Sequence, residues 1–389
     1  MIDIKVKSEC CGCYACTNVC PKQCIDMNID NEGFWYPKVN KDICIDCGLC
    51  EKVCPVISET KIEEFNIKAY ACKNKNEKIR LSSSSGGVFT SLCNYVIKNN
   101  GVVFGAGFNK NFEVEHSEAT TIEGCKKFRG SKYVQSKIGN TYKDAKQYLD
   151  EGRIVLFSGT PCQIKGLNLF LRKSYNNLIV VDIVCHGVPS PLVFDIYKSN
   201  LKKEYNSDIE EITFRDKSNG WANYRYKISF KNGKKEDKIH RENIYSDGFL
   251  NDLYLRPSCY DCKAKNFTSN SDITLADYWG VQSKHSEFND DKGISLILVN
   301  SKKGQDIFDK VSDDMERIET DLDYGISCNP SIVRPVKYNI KREQFFNELN
   351  NNNLNELIEK NIKVSINKKV ILKIRHILGK IKRKILRKS

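Results

Sequence analysis

One cysteine pattern occurs twice within the first 55 residues, and it restricts what this chain can fold into more than any other feature. Cys10-x2-Cys13-x2-Cys16-x3-Cys20-Pro21 is followed 34 positions later by Cys44-x2-Cys47-x2-Cys50-x3-Cys54-Pro55, with identical spacing. In such a run three closely spaced thiolates wrap one corner of a 4Fe-4S cube, and the fourth reaches across to the neighbouring cube. On that logic Cys10, Cys13, Cys16 and Cys54 hold one cluster, while Cys44, Cys47, Cys50 and Cys20 hold the other. Zinc sites take four ligands, usually in two pairs, and would leave the doubled array unexplained. Cys11 and Cys24 lie outside the pattern and read as spare thiols near the site.

The run is the bacterial ferredoxin pattern, so residues 1–57 read as a two-cluster ferredoxin domain and the chain as one that moves electrons. Its 389 residues leave room for one or two further domains. A 40% hydrophobic and 29% charged composition is that of a packed globular body. The amino terminus MIDIKVKSEC carries no apolar stretch of the export type, and no run approaches the ~18 apolar residues of a spanning helix. Cysteines in ferredoxin spacing, in a chain of this size, indicate the reducing cytosol rather than a disulfide framework. Cluster fragility points further to an anoxic setting.

The net charge of +13 is concentrated at one end. Residues 368–389 hold ten Lys or Arg and no acid, with Ile371, Ile374, Leu378, Ile381 and Ile385 at helical spacing. Two readings stand for this tail: a peripheral contact with the anionic inner face of a membrane, or a terminal helix docked on the body or a partner. Nucleic acid is not expected, because the tail has no aromatic residue to stack on bases.

Between ferredoxin unit and tail, alternating patterns predict an α/β core. The stretch from about Ser58 to Asn66 reads as a linker. KAYACK, VVFGAGF, RIVLFSG and NLIVVDIVC read as strands, and the segments from Val88, PCQIKGLNLFLRK and PSPLVFDIYKSNLKKEY read as helices. From about Glu211 the signals become antiparallel, with Asn232-Gly233 as a hairpin turn. DITLAD and ISLILVN are further strands, SKKGQDIFDKVSDD a helix, and NELNNNNLNEL a low-complexity patch. The expected class is α+β: a two-cluster ferredoxin domain, then an α/β core with an antiparallel, strand-rich extension. Expected boundaries are 1–57, 67–150, 151–335 and a helical, basic tail over 336–389.

Ten cysteines remain outside the ferredoxin set. Cys162, in SGTPC, and Cys185, in VCHG, follow two successive predicted strands, whose carboxyl ends open on one crevice in a parallel sheet. Cys259 and Cys262 form a C-x2-C pair. The four could hold a third 4Fe-4S cluster, or Cys162 and Cys185 could be buried small residues beside a dithiol or half a zinc site. His186 reads either as an acid near that crevice or as a structural histidine. SSSSGGV opening a helix has the free N–H groups and dipole of an anion site, or is a simple cap. Arg129 to Ser136 supplies cations, hydroxyls and an aromatic ring within eight residues, as a nucleotide site or an ordinary loop would.

Taken in order, the doubled cysteine run, SSSSGGVF, FRGSKYVQS, SGTPCQ, VCHG, CYDCK and DITLADYWG resemble the family of coenzyme F420 hydrogenase/dehydrogenase beta subunits over about Cys10 to Gly280. The resemblance implies an iron–sulfur flavoprotein oxidoreductase in which the α/β core binds FAD beside a 4Fe-4S cluster. Electrons would run from a ferredoxin, or another low-potential redox protein, through the clusters to FAD and on to a deazaflavin (coenzyme F420) or another organic substrate. It implies that Cys162, Cys185, Cys259 and Cys262 bind the third cluster. It implies that Ser84, Ser85, Gly86 and Gly87 meet the FAD diphosphate, with Arg129, Ser131, Lys132, Tyr133 and Gln135 near the flavin or adenosine. Asp272, Asp277 and Trp279 either shape the flavin pocket or belong to a structural strand and turn. His186 is the expected catalytic acid. The fused ferredoxin domain marks only part of that family; relatives with this layout resemble proteins of bacterial surface-polysaccharide clusters, and the tail beyond Pro335 resembles nothing. The rival reading is a non-catalytic electron-transfer module that docks on a partner enzyme.

Overall fold

The computed structural model describes residues 1–59, 65–349 and 353–362, so the basic run at 368–389 lies outside the described residues. Each cysteine run passes into a short helix, Ala15–Val19 and Leu49–Lys52, whose cap residues Tyr14 and Gly48 turn the chain at φ of 64° and 69°. An antiparallel hairpin, β1 (Ile25–Ile29) and β2 (Trp35–Val39), links the two halves. The unit has its own small core of Ile2, Ile25 and four cysteines. Too few apolar side chains are present to hold 59 residues by burial alone, which is the usual state of a domain built around metal.

The body is organised by one eight-stranded sheet. Its strands are β3 (Lys68–Asn74), β4 (Val102–Phe108), β5 (Val114–Ala119), β6 (Val155–Gly159), β7 (Leu178–Ile183), β11 (Ile273–Asp277), β12 (Ser295–Val299) and β13 (Met315–Thr320). They lie in the order β13-β3-β12-β11-β7-β6-β4-β5. The central run β4, β6, β7, β11 is parallel and the flanking pairs are antiparallel. Buried on both faces, β6 and β12 consist almost wholly of buried residues, as parallel and central strands must. The stretches 67–150 and 151–335 each contribute strands to this sheet and are interleaved in it, with β3 lying between β12 and β13.

The antiparallel signals from Glu211 become a separate three-stranded sheet of β8 (Ile209–Asp216), β9 (Arg225–Phe230) and β10 (Lys235–Ile239), with Asn232 and Gly233 in the turn. It packs with helix Pro191–Tyr205 on an aromatic core that includes Phe194, Tyr197, Phe214, Tyr226, Tyr245 and Tyr254. The later strands do not extend it. Instead β11 returns to the main sheet beside β7, parallel to it.

Among the described residues no helix is long and apolar enough to cross a membrane. The ferredoxin unit is docked tightly on the body. Cys13, Tyr14 and Ala15 share one apolar cluster with Tyr142, Ile164 and Leu167. The fully buried Arg256 donates from Nε to the carbonyl of Cys10 (2.7 Å) and from a terminal nitrogen to that of Trp35 (2.8 Å). Glu32 accepts a bidentate pair from the buried Arg342 at 3.1 and 2.5 Å. Gly33, at φ 83°, lies so close to Leu192 that a Cβ there would sit 2.7 Å from its backbone nitrogen.

Candidate functional site

Within the ferredoxin unit, Cys16 has Cys10 and Cys54 as electrostatic neighbours, and Cys13 has Cys16 and Cys54. Cys20, Cys44, Cys47 and Cys50 line a separate cavity of about 350 Å³ together with Cys24. Cys50 of the second group is also a neighbour of Cys16, so the two groups adjoin. Cys24, read as a spare thiol, lies 3.3 Å from the sulfur of Cys20. Cys47 is exposed, with the exposed side chains of Ile43 and Ile45 in the same loop, whereas Cys10, Cys13, Cys16 and Cys54 are buried. Backbone N–H groups already point at ligand sulfurs: Ile2 donates to Cys50 (3.2 Å) and Gly12 to Cys10 (3.4 Å). Such bonds stabilise the extra charge of a reduced cluster.

The body supplies the second group of thiols from three separate segments. β6 and β7 are adjacent and parallel, so the segments leaving their carboxyl ends meet at one rim. Thr160 caps the helix Pro161–Leu171 in a reciprocal box with Gln163, which fixes Cys162 in the first turn. Cys185 follows β7, and the turn Pro257–Asp261 brings Cys259 and Cys262 opposite. All four line one cavity of about 590 Å³, together with His186, Arg256 and Lys265. Burial, opposed by Lys265 and aided by Cys162 and Cys262, pushes the Cys185 thiol up to about 12. Four thiols gathered on one cavity need bound positive charge before they can ionise together, and a metal cluster would supply it. Among the described residues no three His, Cys, Asp or Glu side chains converge as they would on a single metal ion.

Four residues of that cavity come from the ferredoxin unit and were not expected there: Ser8, Cys11, Pro55 and Val56. Cys11 thus lines the same cavity as Cys162. His186 lines the same cavity, with Nε2 2.5 Å from Asp252 Oδ1 and its ring edge-on to Phe249.

The serine-rich turn and the Arg129 segment, 47 residues apart, meet. Ser131 donates its backbone N–H to Ser84 Oγ at 2.7 Å, the two hydroxyls lie 2.8 Å apart, and Arg129 donates to Ser82 Oγ (2.8 Å). Arg215, missed in the sequence, ties this corner together. It donates to the Ser84 carbonyl (3.2 Å), to the Tyr133 hydroxyl (3.2 Å) and to both oxygens of Asp277 (2.9 and 3.1 Å). Lys217 donates to the carbonyls of Arg80, Ser85 and Lys292. Burial, then Arg80 and Arg215, pull its ammonium down to about 7. Arg80 and Arg215 thus surround Lys217 with positive charge. The buried Nε atoms of Arg129 and Arg215 have no hydrogen-bond partner among the described residues. A buried donor left unpaired is costly, and a phosphate or flavin oxygen would satisfy it.

Not every residue expected at this corner is there. Gln135 is buried at the ferredoxin junction, where its Nε2 donates to the Cys11 carbonyl (3.2 Å). Lys132 donates to three carbonyls of its own loop. Gly86 and Gly87 have reasons within the chain: a Cβ on Gly86 would collide with the Cys72 carbonyl, and Gly87 turns at φ 86° to start helix Val88–Lys98. Asp277 and Trp279 join the Arg215 corner, Trp279 stacked on Trp221 at 4.8 Å. Asp272 instead pins the start of helix Lys302–Lys310, accepting from Ser301 (2.7 Å) and from the backbone of Val180 (2.9 Å).

Comparison with known proteins agrees with this division. Residues 152–323 match the family described as the C terminus of coenzyme F420 hydrogenase/dehydrogenase beta subunits, and residues 9–57 match the 4Fe-4S dicluster domain. One of the subunits, F, of the F(420)H(2) dehydrogenase of Methanosarcina mazei is 24% identical over 330 residues, covering 80% of this chain and 84% of that one. A coenzyme F420-dependent sulfite reductase of Methanocaldococcus jannaschii is 25% identical over 322 residues, covering 77% of this chain and 45% of that protein. Among solved structures, a chain of the F420-reducing [NiFe] hydrogenase complex from Methanosarcina barkeri aligns with a TM-score of 0.44 at 17% identity, over 78% of this chain and 92% of that one. The chain thus joins an amino-terminal segment that matches the 4Fe-4S dicluster domain to a body whose residues 152–323 match the C terminus of coenzyme F420 hydrogenase/dehydrogenase beta subunits.

Proposed function

We propose that this chain is an iron–sulfur flavoprotein oxidoreductase that passes electrons between a low-potential redox protein, such as a ferredoxin, and a deazaflavin of the coenzyme F420 type or another organic substrate. The observation that carries the reading is the cavity in which Cys162, Cys185, Cys259 and Cys262 of the body face Cys11 and Pro55 of the ferredoxin unit. Electron-carrying ligand sets then follow one another from the exposed Cys47 inward. The names of the relatives support the deazaflavin.

In this reading the four body cysteines hold a third 4Fe-4S cluster, and Ser84, Arg129, Ser131, Tyr133 and Arg215 hold FAD. FAD so bound supplies the exchange between single electrons and a hydride. The chain's own residues do the rest. Arg129 and Arg215 offer their unpaired Nε donors to an anionic group, and Lys217 adds charge that an anion would restore. Arg215, held by Asp277, fixes the turn at Ser84. His186, oriented by Asp252, is the side chain that can hold a proton beside the thiols. The exposed face around Cys47, Ile43 and Ile45 is where a donor protein would bring its own centre close.

Anaerobic purification, with iron, sulfide and FAD measured on one sample, tests this directly. About twelve irons and one FAD per chain are expected for three 4Fe-4S clusters and a flavin. About eight irons without flavin would leave an electron-transfer module and overturn the proposal.

A further inference from the structure

Four arginines are buried among the described residues, and three of them rest on a carboxylate: Arg80 on Asp290, Arg215 on Asp277 and Arg342 on Glu32. The fourth, Arg256, is 0% exposed and has no carboxylate partner among the described residues. Its Nε donates to the Cys10 carbonyl (2.7 Å), one terminal nitrogen to Gln135 Oε1 (3.1 Å) and the other to the Trp35 carbonyl (2.8 Å), all neutral oxygens. Its guanidinium lies over the ring of Tyr36, 4.3 Å from the centroid. These contacts satisfy the donors and leave the charge uncompensated. A guanidinium does not shed its proton to escape burial, so an unpaired one is costly unless negative charge lies nearby.

Arg256 stands where such charge would gather. It lines the cavity of about 590 Å³ with Cys162, Cys185, Cys259 and Cys262, and its side chain reaches Cys10 of the inner ferredoxin set. Its backbone belongs to the same framework. The Arg256 N–H donates to the Val188 carbonyl (3.0 Å), its carbonyl accepts from the Cys259 N–H (2.9 Å), and the Val188 N–H donates to the Cys259 sulfur (3.4 Å). On the ferredoxin side Gly12, at φ 68°, makes room for it, since a Cβ there would lie 2.9 Å from a terminal nitrogen. Asp261, the one carboxylate lining the cavity among the described residues, is exposed and held by Lys263 at 2.8 Å. Four thiolates around a 4Fe-4S cube leave it net negative, and reduction adds one further negative charge.

We propose that Arg256 is the shared counter-charge of the inner ferredoxin cluster and the body cluster, a positioning residue that ligates neither and raises the midpoint potential of both. This rests on the reading that the four body cysteines hold a cluster. Reduction of either cluster takes up one electron from the redox donor; no bond forms or breaks, and Arg256 stays protonated. The fixed cation favours the reduced form, because the charge around a cluster sets its potential. At an effective dielectric constant of ~20, a unit charge still shifts such an equilibrium about tenfold from roughly 12 Å away. Because one cation serves both clusters, it lifts them together rather than opening a gap between them.

The test uses the full chain, with Arg256→Met and Arg256→Lys compared with wild type after anaerobic purification. Iron and sulfide are counted, and midpoints are read by EPR-monitored redox titration. Arg256→Met is expected to keep the wild-type iron count and to lower two of three midpoints by about 59 mV, a tenfold change in each one-electron equilibrium. The third midpoint, that of the outer set with Cys47, should stay in place. Arg256→Lys, which keeps the charge and gives up hydrogen bonds, should recover most of both shifts. Unchanged midpoints in Arg256→Met at full iron content would overturn the proposal. An equal fall in both variants would overturn it too, by making the hydrogen bonds responsible and not the charge. Should Arg256→Met lose iron, Arg256→Lys decides: full iron with wild-type midpoints supports the counter-charge, and the same iron loss overturns it. About eight irons in the wild type would instead remove the third-cluster reading, and a fall in one of the two remaining midpoints would still assign the cation to the ferredoxin set.

Discussion

Arg129 and Arg215 show how a single side chain separates a cofactor corner from ordinary packing. Arg129 is tied to Ser82 by one terminal nitrogen and Arg215 to Ser84, Tyr133 and Asp277 by both, and each is left unpaired at Nε. Arg215 also holds Asp277 and Tyr133, so removing it would disturb the fold; Arg129 is the cleaner probe. Arg129→Gln is expected to weaken FAD binding by at least about tenfold, the value of one charge-assisted hydrogen bond at ~1.5–3 kcal/mol. Fluorescence titration of flavin-depleted protein measures it, and an unchanged Kd would remove Arg129 from the site. His186 makes a second, separable prediction. Its ring is held by Asp252 and Phe249 and contributes nothing to the cysteine sets. His186→Asn should leave iron and FAD content at wild-type values while slowing reoxidation of the reduced flavin by substrate; equal stopped-flow rates would make it structural. At this scale the sequence was informative where chemistry is local. The two ferredoxin runs and the order of the body cysteines could be read directly, but Cys11 and Gln135 could not. Their places arise where segments far apart in sequence come together: Cys11 lines one cavity with Cys162, and Gln135 donates to the Cys11 carbonyl.

At the scale of elements, the strands of the main sheet that could be read were its inner ones, where apolar or small residues run together: β3, β4, β6, β7, β11 and β12. The strands of that sheet that escaped notice were its two edges. β5 (VEHSEA) and β13 (MERIET) carry charges toward solvent, as edge strands do to resist pairing with another chain, and so lose the hydrophobic signature. β5 holds a buried histidine at that edge. His116 Nε2 lies 3.0 Å from the Ser158 carbonyl on β6, and Nδ1 lies 3.0 Å from the hydroxyl of Ser136, which accepts from Gln163. Burial, against the Ser158 bond, lowers its pKa to about 4 from 6.5. A histidine kept neutral in the folded state gives stability that is full above the unfolded value. That stability is lost as pH falls from about 6.5 to about 4, because the unfolded chain takes up the proton first. The loss amounts to roughly 3 kcal/mol over that window. His116→Asn lacks the titration, so its deficit in Tm relative to wild type should narrow as the pH is lowered from 7 to 4.5. A deficit constant with pH would show that His116 titrates normally.

At the scale of the whole molecule, the ferredoxin unit is not a tethered module. The charged stretch after Pro55 reads as a linker, yet what fixes the unit is contact with the body at residues the local sequence does not mark. Arg342, 310 positions from Glu32, closes a buried ion pair with it, and Ser190 Oγ donates to the Glu32 carbonyl at 2.5 Å. Asn18 bridges to the Gly139 carbonyl at 2.8 Å and accepts from the backbone of Lys143. A buried pair contributes little net stability, but breaking it on one side leaves an uncompensated charge, at about 3–5 kcal/mol. Glu32→Met should therefore lower Tm steeply and open the stretch between ferredoxin unit and β3 to protease. Glu32→Met combined with Arg342→Met should recover most of that loss, since an apolar pair of similar size packs without the stranded guanidinium. If the single variant is as stable and as protease-resistant as wild type, the docking does not depend on this pair, and Arg256 with its hold on Cys10 and Trp35 carries the junction instead.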